Sequence, residues 1–242
     1  MESFTIQRSN SWYTNPTTNT RQRGIFISRP IDAFYHADYH GGNNELRVTI
    51  GTVENIITTL KNQFQDKSNN VLLQAKNNLI QILRTDLPQI LQRTRKNNLT
   101  VCVIPRAKAE TYYSANQMLF KQAIIDTIQQ LNGFSDGTNY IIRHTNTRTT
   151  HLDRSGYGGD GDLPYPGITV NTCNISENVR GKDILLIDDL YTESVNIDED
   201  GLQALLDNGA TNVFFYSVGK TYRGGVQPIQ PQMIDDEDDL PF

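Results

Sequence analysis

Two adjacent aspartates, Asp188 and Asp189, have the clearest chemical potential in this sequence. They follow an apolar run at residues 184–187 and precede a short polar segment at 192–196, after which a helical pattern begins. In open α/β sheets, ligands bind beyond the carboxyl ends of strands, and the start of a helix offers unpaired backbone N–H groups to an anion. The pattern therefore predicts a site in which carboxylates accept hydrogen bonds from sugar hydroxyls while amides hold a phosphate.

A structural interpretation of the same pair is a solvated strand end followed by a helix N-terminus, where carboxylates are favoured by the helix dipole. The apolar run before the pair and the turn at Tyr191 and Thr192 after it favour the ligand site.

The surrounding sequence supplies elements that would position the pair. Short apolar runs between helical patterns are typical of buried parallel strands covered by helices. The predicted strands lie at residues 24–28, 101–104, 140–142, 168–173, 184–187 and 213–216, and the predicted helices at 53–64, 72–83, 120–131 and 197–208. This alternation predicts an α/β domain with a mainly parallel sheet flanked by helices.

The segment from Ile184 to Asn196 resembles the signature of type I phosphoribosyltransferases, which is an apolar strand, two acids and a Thr/Gly-rich phosphate loop. The resemblance continues through residues 209–213 and covers roughly residues 100–222. Within that class the layout is similar to the ComF-type, competence-associated branch, because a Pro-containing loop follows an early strand and an Arg- and Thr-rich region precedes the signature. The resemblance implies the type I phosphoribosyltransferase fold, Mg²⁺ as cofactor and phosphoribosyl pyrophosphate as donor, while the acceptor is not readable.

By this resemblance, Asp188 and Asp189 are the catalytic residues, which bind the 2- and 3-hydroxyls of the donor and meet its bound Mg²⁺. The resemblance also implies that the polar segment binds the 5-phosphate of the donor, through Thr192, Glu193, Ser194, Val195 and Asn196. The residues implied to bind the pyrophosphate are Arg106, Ala107 and Lys108. A loop that closes over the site is implied to carry Arg148 and Arg154. These types suit the reaction, because breaking the anomeric C–O bond leaves a highly charged pyrophosphate that cations stabilise. Exposed surface charge is the alternative for the arginines and the lysine.

The phosphate loop departs from the family pattern, Thr-Thr-Gly-x-Thr/Ser. Glu193 replaces a Thr, Ser194 a Gly, and Asn196 the last hydroxyl residue. A carboxylate repels a nearby phosphate, and serine hinders the close backbone approach that glycine allows. Two functions therefore stay open: a Mg²⁺-dependent phosphoribosyltransferase, and a non-catalytic adaptor of the same fold that binds a nucleotide or phosphosugar.

Charge and composition exclude other classes. The net charge is −5, but five of the 27 acids lie at residues 235–239, so the remaining 22 acids balance 22 bases. A neutral body disfavours strong direct nucleic-acid binding, which draws on many phosphate contacts. The sequence has no apolar run of about 18 residues, which predicts no membrane span. Two cysteines in apolar stretches predict buried thiols and a reducing, cytoplasmic setting.

The C-terminal tip resembles the acidic tip of bacterial single-stranded DNA-binding protein. It comprises Asp238, Asp239, Leu240, Pro241 and Phe242. In this peptide-docking mode an aromatic anchor fills an apolar pocket while acids face a basic surface. The implied partners are genome-maintenance proteins that recognise that tip, and an acidic solubilising tail is the alternative.

Three regions are predicted: a mainly helical N-terminal elaboration at residues 1–98, a phosphoribosyltransferase-like domain at 99–224, and a flexible, disordered acidic tail at 225–242. The apolar faces of the N-terminal helices make a homo-oligomer possible. Two pairs of histidines each have two possible interpretations. His36 and His40 could bind a metal or form a surface cluster. His144 and His151 could supply a general base or have no such role.

Overall fold

The computed structural model describes residues 1–8, 10–14, 20–42, 45–147, 167–168, 171–193 and 195–222. Its centre is a six-stranded sheet with a single antiparallel edge strand. In sheet order the strands are β1 (Glu2–Ile6), β4 (Ile31–Tyr39), β10 (Asn212–Thr221), β9 (Asp183–Tyr191), β5 (Leu99–Val103) and β6 (Phe134–Asp136). All neighbouring pairs from β4 to β6 are parallel, so these five strands end at the same edge. The predicted mainly parallel sheet is confirmed.

The other described elements surround this sheet. Two separate antiparallel pairs join β2 (Asn10–Thr14) with β3 (Arg21–Ile25) and β7 (Ile141–Arg143) with β8 (Cys173–Ile175). The helices are α1 (Val53–Lys61), α2 (Asn69–Thr94), α3 (Leu119–Ile128) and α4 (Ile197–Asp207), with short 3₁₀ turns at Glu45–Arg47, Glu110–Tyr112, Ala115–Gln117 and Glu177–Val179. Helices flank the sheet on both faces, as the sequence predicts.

Apolar rows across the sheet explain why these runs form central strands. On one face, Cys102, Leu186, Phe215 and Ala33 lie side by side on β5, β9, β10 and β4, and all four are buried. The next row, on the opposite face, packs against α1, α2 and α3, while α4 packs with the first row. Because both faces are covered, each central strand needs apolar residues at every position.

The N-terminal region differs from the expectation of a mainly helical elaboration. It contributes β1 and β4 to the central sheet in addition to α1 and α2. Phe34 of β4 packs in the same apolar cluster as Ile187 of β9, so the N-terminal region shares the core of the later strands. The boundaries at residues 98 and 224 stay predictions, and residues 225–242 lie outside the described residues.

Three predicted strands need correction. The strand expected at residues 24–28 is β3, which ends at Ile25 and belongs to a hairpin. The strand expected at 140–142 is β7, and the strand expected at 168–173 begins only at Cys173; these two strands pair with each other in a separate antiparallel sheet instead of joining the main sheet. In the segments 24–28 and 168–173, apolar residues contribute to the core from a loop: Ile27 and Ile168 are buried although neither is in a strand.

Candidate functional site

Asp188 and Asp189 lie within the last four residues of β9, since the strand continues to Tyr191. The sequence had placed them after the strand. The backbone N–H of Asp189 donates to Asp188 Oδ1 at 2.8 Å. Their side chains have different neighbours: Asp189 Oδ2 lies 3.2 Å from Lys61 Nζ of α1, whereas Asp188 forms a hydrogen bond with Asp198 of α4. The pair therefore connects the sheet edge to helices on both faces.

Asp188 and Asp198 are neighbouring carboxyl groups whose pKa values are both raised, which favours their protonated forms. Burial, followed by the charge of Asp189, raises the pKa of Asp188 to about 7 against the lowering effects of its hydrogen bonds and of Lys61. Burial and the charge of Asp188 raise the pKa of Asp198 well above its usual value. A hydrogen bond between two carboxyl groups requires that one of them be protonated. This part of the site therefore carries less negative charge than the residue count suggests.

The first turn of α4 continues this acidic group with Glu199 and Asp200. Glu199 is buried, accepts a hydrogen bond from Tyr191 Oη at 2.9 Å, and has a pKa raised to about 7, chiefly by burial. Asp200 Oδ2 accepts the backbone N–H groups of Gly167 and Ile168, both at 2.6 Å. Burial raises the pKa of Asp200 to about 6 despite these bonds. Asp200 thus ties residues 167–168 to the start of α4.

Among the residues that the structure describes, three buried oxygens at the start of α4 have no hydrogen-bond partner. They are Asn196 Oδ1, Asp198 Oδ1 and Glu199 Oε2. Asn196 caps the helix with a left-handed backbone at φ 62°. Most buried polar atoms in proteins are paired, so three unpaired acceptors in one turn are unusual. They weaken the attraction of the helix N-terminus for a phosphate, which the sequence had led us to expect.

The polar turn before α4 is largely engaged in its own contacts. Thr192 Oγ1 lies 2.7 Å from Thr221 Oγ1 of β10, and the main-chain carbonyl of Thr192 accepts the N–H of Val195 at 3.0 Å. Glu193 is exposed. Of the predicted phosphate-binding segment, Ser194 lies outside the described residues. The described amide of Val195 is therefore committed to the turn.

The loop after β5 lies at the same sheet edge, but its cations are bonded to main-chain oxygens. Arg106 donates to the carbonyls of Gln117 and Lys61 at 2.7 and 3.0 Å, and its guanidinium lies 4.3 Å from the centre of the Tyr113 ring. Lys108 Nζ donates to the carbonyl of Thr147 at 2.8 Å.

Ala107 accepts the N–H of Thr147 through its carbonyl at 2.7 Å. These contacts anchor the loop. The contacts of Arg106 and Lys108 also occupy the two cations that the resemblance assigned to pyrophosphate.

Of the remaining predicted residues, some lie outside the described residues, and the sequence makes His36 a possible metal ligand. Arg148, Arg154, His151 and the tip residues Asp238, Asp239, Leu240, Pro241 and Phe242 lie outside the described residues. His36 Nδ1 lies 2.9 Å from Asp86 Oδ2, a buried carboxylate of α2. Within the described ranges, no three His, Cys, Asp or Glu side chains are grouped to hold a metal ion.

The sequence reasoning missed Lys61, Asp198 and Glu199. Lys61 ends an amphipathic helix far from Asp189 in sequence, and no local pattern links the two residues. Asp198 and Glu199 have the ordinary signature of an exposed helix start, since acids are common there. Their burial depends on the packing of α4 against β9, which the sequence does not display.

The described part of the chain contains no helix that is both long and apolar enough to cross a bilayer. Comparison with protein-family models and with curated proteins finds no match for this chain.

Proposed function

We propose that this protein is a phosphoribosyltransferase-like protein that binds phosphoribosyl pyrophosphate with Mg²⁺ at the edge formed by β9 and α4. One observation carries the proposal: two adjacent carboxylates lie at the carboxyl end of a central parallel strand, which a short turn connects to a helix. In this class of sheet, that edge is where ligands bind. The type I phosphoribosyltransferase fold is part of the same proposal, and the acceptor is unassigned.

The residues fit a metal ion that arrives with the ligand. Mg²⁺ in phosphate sites is usually held by one or two carboxylates together with substrate phosphates and water. Asp188 and Asp189 supply these carboxylates without a dedicated cage of three protein ligands. Bound Mg²⁺ would neutralise charge on the pyrophosphate as it leaves.

In this proposal the chain's own carboxylates orient the sugar. Asp188 and Asp189 accept hydrogen bonds from the ribose hydroxyls and favour the positive charge that grows on the ribose as the anomeric bond breaks. Ionisation of Asp188, with its proton released to solvent, would give this carboxylate its full accepting capacity.

Calorimetric titration with phosphoribosyl pyrophosphate and Mg²⁺ tests the proposal. We expect saturable heat with the folded protein and its loss in Asp188→Asn/Asp189→Asn. The control is Asp66→Asn, because Asp66 is an exposed carboxylate paired with Lys67. A folded sample that gives no heat at millimolar donor would reject the proposal.

A second candidate function is a non-catalytic adaptor that binds a nucleotide or phosphosugar. The hydrogen bonds that Arg106 and Lys108 make to carbonyl oxygens favour this candidate.

For both candidate functions, we propose that the C-terminal tip links the protein to DNA metabolism in a cytoplasmic setting. Its partners in this proposal are proteins that recognise the tip of single-stranded DNA-binding protein. Deletion of residues 240–242 should abolish that binding. If this deletion alters the cellular phenotype and Asp188→Asn/Asp189→Asn does not, the adaptor function is favoured over catalysis.

A further inference from the structure

Lys61 is the cation that faces the aspartate pair from α1. It is the last residue of that helix, and its Nζ lies 3.2 Å from Asp189 Oδ2, with side chains 30% and 20% exposed respectively. Both partners therefore remain in reach of a ligand. The side chain is an ammonium group at neutral pH, because the ordinary pKa of lysine lies well above that range.

The other described cations around this edge are engaged elsewhere: Lys220 lies over the rings of Phe4 and Tyr35, and three further cations are bonded to the backbone. Arg106, Lys108 and Arg143 each donate to main-chain carbonyl oxygens at 2.7–3.0 Å. Arg143 is also buried. Moving any of them to a ligand would break bonds that hold the loops together. Lys61 differs because the group it contacts, Asp189, is itself a proposed ligand-binding residue.

The backbone of Lys61 joins α1 to the loop after β5. Its carbonyl accepts a hydrogen bond from Arg106 at 3.0 Å. The residue therefore lies between the carboxylate proposed to bind the ribose hydroxyls and the loop beside which the pyrophosphate is expected. An ammonium in this position can contact either one by rotating about its side-chain bonds, since lysine is a compact charge on a flexible stem.

We propose that Lys61 is a ligand-binding residue that neutralises Asp189 before the donor binds and contacts the donor's pyrophosphate afterwards. This inference rests on the proposed function. The ribose hydroxyls take over the hydrogen bonding of Asp189, which releases the ammonium to the more highly charged pyrophosphate. The ion pair thus keeps the empty site from holding an uncompensated carboxylate and supplies a cation once the ligand arrives.

The test compares Lys61→Met and Lys61→Arg with Lys76→Met. Lys76 makes a comparable ion pair with Asp126 at 2.6 Å, but between α2 and α3. Methionine keeps the apolar stem and the helix propensity of lysine. Affinities are measured by calorimetry with Mg²⁺ and three probes: phosphoribosyl pyrophosphate, inorganic pyrophosphate and ribose 5-phosphate. Melting temperatures of all variants are recorded in parallel.

We expect Lys61→Met to weaken binding of both pyrophosphate-bearing probes by roughly 10- to 100-fold, the range of one charge-assisted hydrogen bond. Ribose 5-phosphate should be affected much less. Lys61→Arg should recover part of the loss, and Lys76→Met should bind all three probes like the wild type.

Two results would overturn the inference while leaving the proposed function intact. One is wild-type affinity of Lys61→Met for phosphoribosyl pyrophosphate. The other is an equal loss for all three probes together with a lowered melting temperature, which would make Lys61 only a structural partner of Asp189. If the wild-type protein itself binds no phosphoribosyl pyrophosphate, the proposed function fails and the inference fails with it.

Discussion

Replacing Glu199 by glutamine should stabilise the protein increasingly as the pH rises. Glu199 is 2% exposed, and one of its carboxylate oxygens, Oε2, has no hydrogen-bond partner in the described part of the chain. Its other oxygen accepts from Tyr191 Oη at 2.9 Å, a bond that glutamine can keep through its carbonyl. The substitution removes the ionisable group from a site where burial opposes the charge.

The size of the effect follows from the pKa difference between the folded and unfolded chains. Burial, joined by the charges of Glu193 and Asp200, raises the pKa of Glu199 from 4.5 to about 7. A group whose folded pKa is raised is protonated in the folded chain and ionised in the unfolded chain between these two values, so stability falls as pH rises through this window. A shift of one unit corresponds to about 1.4 kcal/mol, which gives a penalty of about 3 kcal/mol above the window.

Chemical denaturation of wild type and Glu199→Gln from about pH 5 to about pH 8 measures this difference. We expect the free energy of unfolding of the variant to gain about 2 to 3 kcal/mol on the wild type across that range. The buried amide of glutamine could itself cost stability by an amount that does not depend on pH. Such a cost would offset the variant's free energy of unfolding equally at every pH, so the pH-dependent difference between variant and wild type would remain. Asp207→Asn is the control, because Asp207 is an exposed acid of the same helix. Parallel curves for Glu199→Gln and wild type would refute the argument.

Two further predictions concern packing and buried hydrogen bonds. Gly133→Ala should lower the free energy of unfolding by about 1–3 kcal/mol more than Gly42→Ala in urea denaturation. Both glycines have positive φ, but a Cβ at residue 133 would lie 2.5 Å from a leucine side chain, whereas a Cβ at residue 42 would have no described atom within 4 Å apart from its own chain neighbours. Equal losses would show that backbone strain alone matters. Tyr216→Phe should cost about 1–3 kcal/mol, since it removes the hydroxyl that donates to buried Asp86 at 2.8 Å. The exposed Tyr222→Phe should change the melting temperature little, and an equally small change for Tyr216→Phe would contradict the role of that bond.

The sequence was informative wherever local pattern and burial coincide. The run at 184–187 predicts a central strand because a strand covered on both faces needs apolar residues at every position, and β9 confirms it. The helical spacing at 53–64 and 197–208 likewise predicts α1 and α4. By contrast, β4 mixes apolar residues with Asp32, His36 and Asp38, so its place in the sheet was not predicted.

For the site, the sequence by itself determined that two acids lie towards the carboxyl end of a buried strand and precede a helix. Only the tertiary structure decided their surroundings: Lys61 faces Asp189, Asp198 shares a hydrogen bond with Asp188, and Glu199 is buried against Tyr191. The physical reason is that charge and desolvation act through space. A lysine at the end of one helix and acids at the start of another affect a strand only when packing brings them together, and no spacing along the chain records that distance.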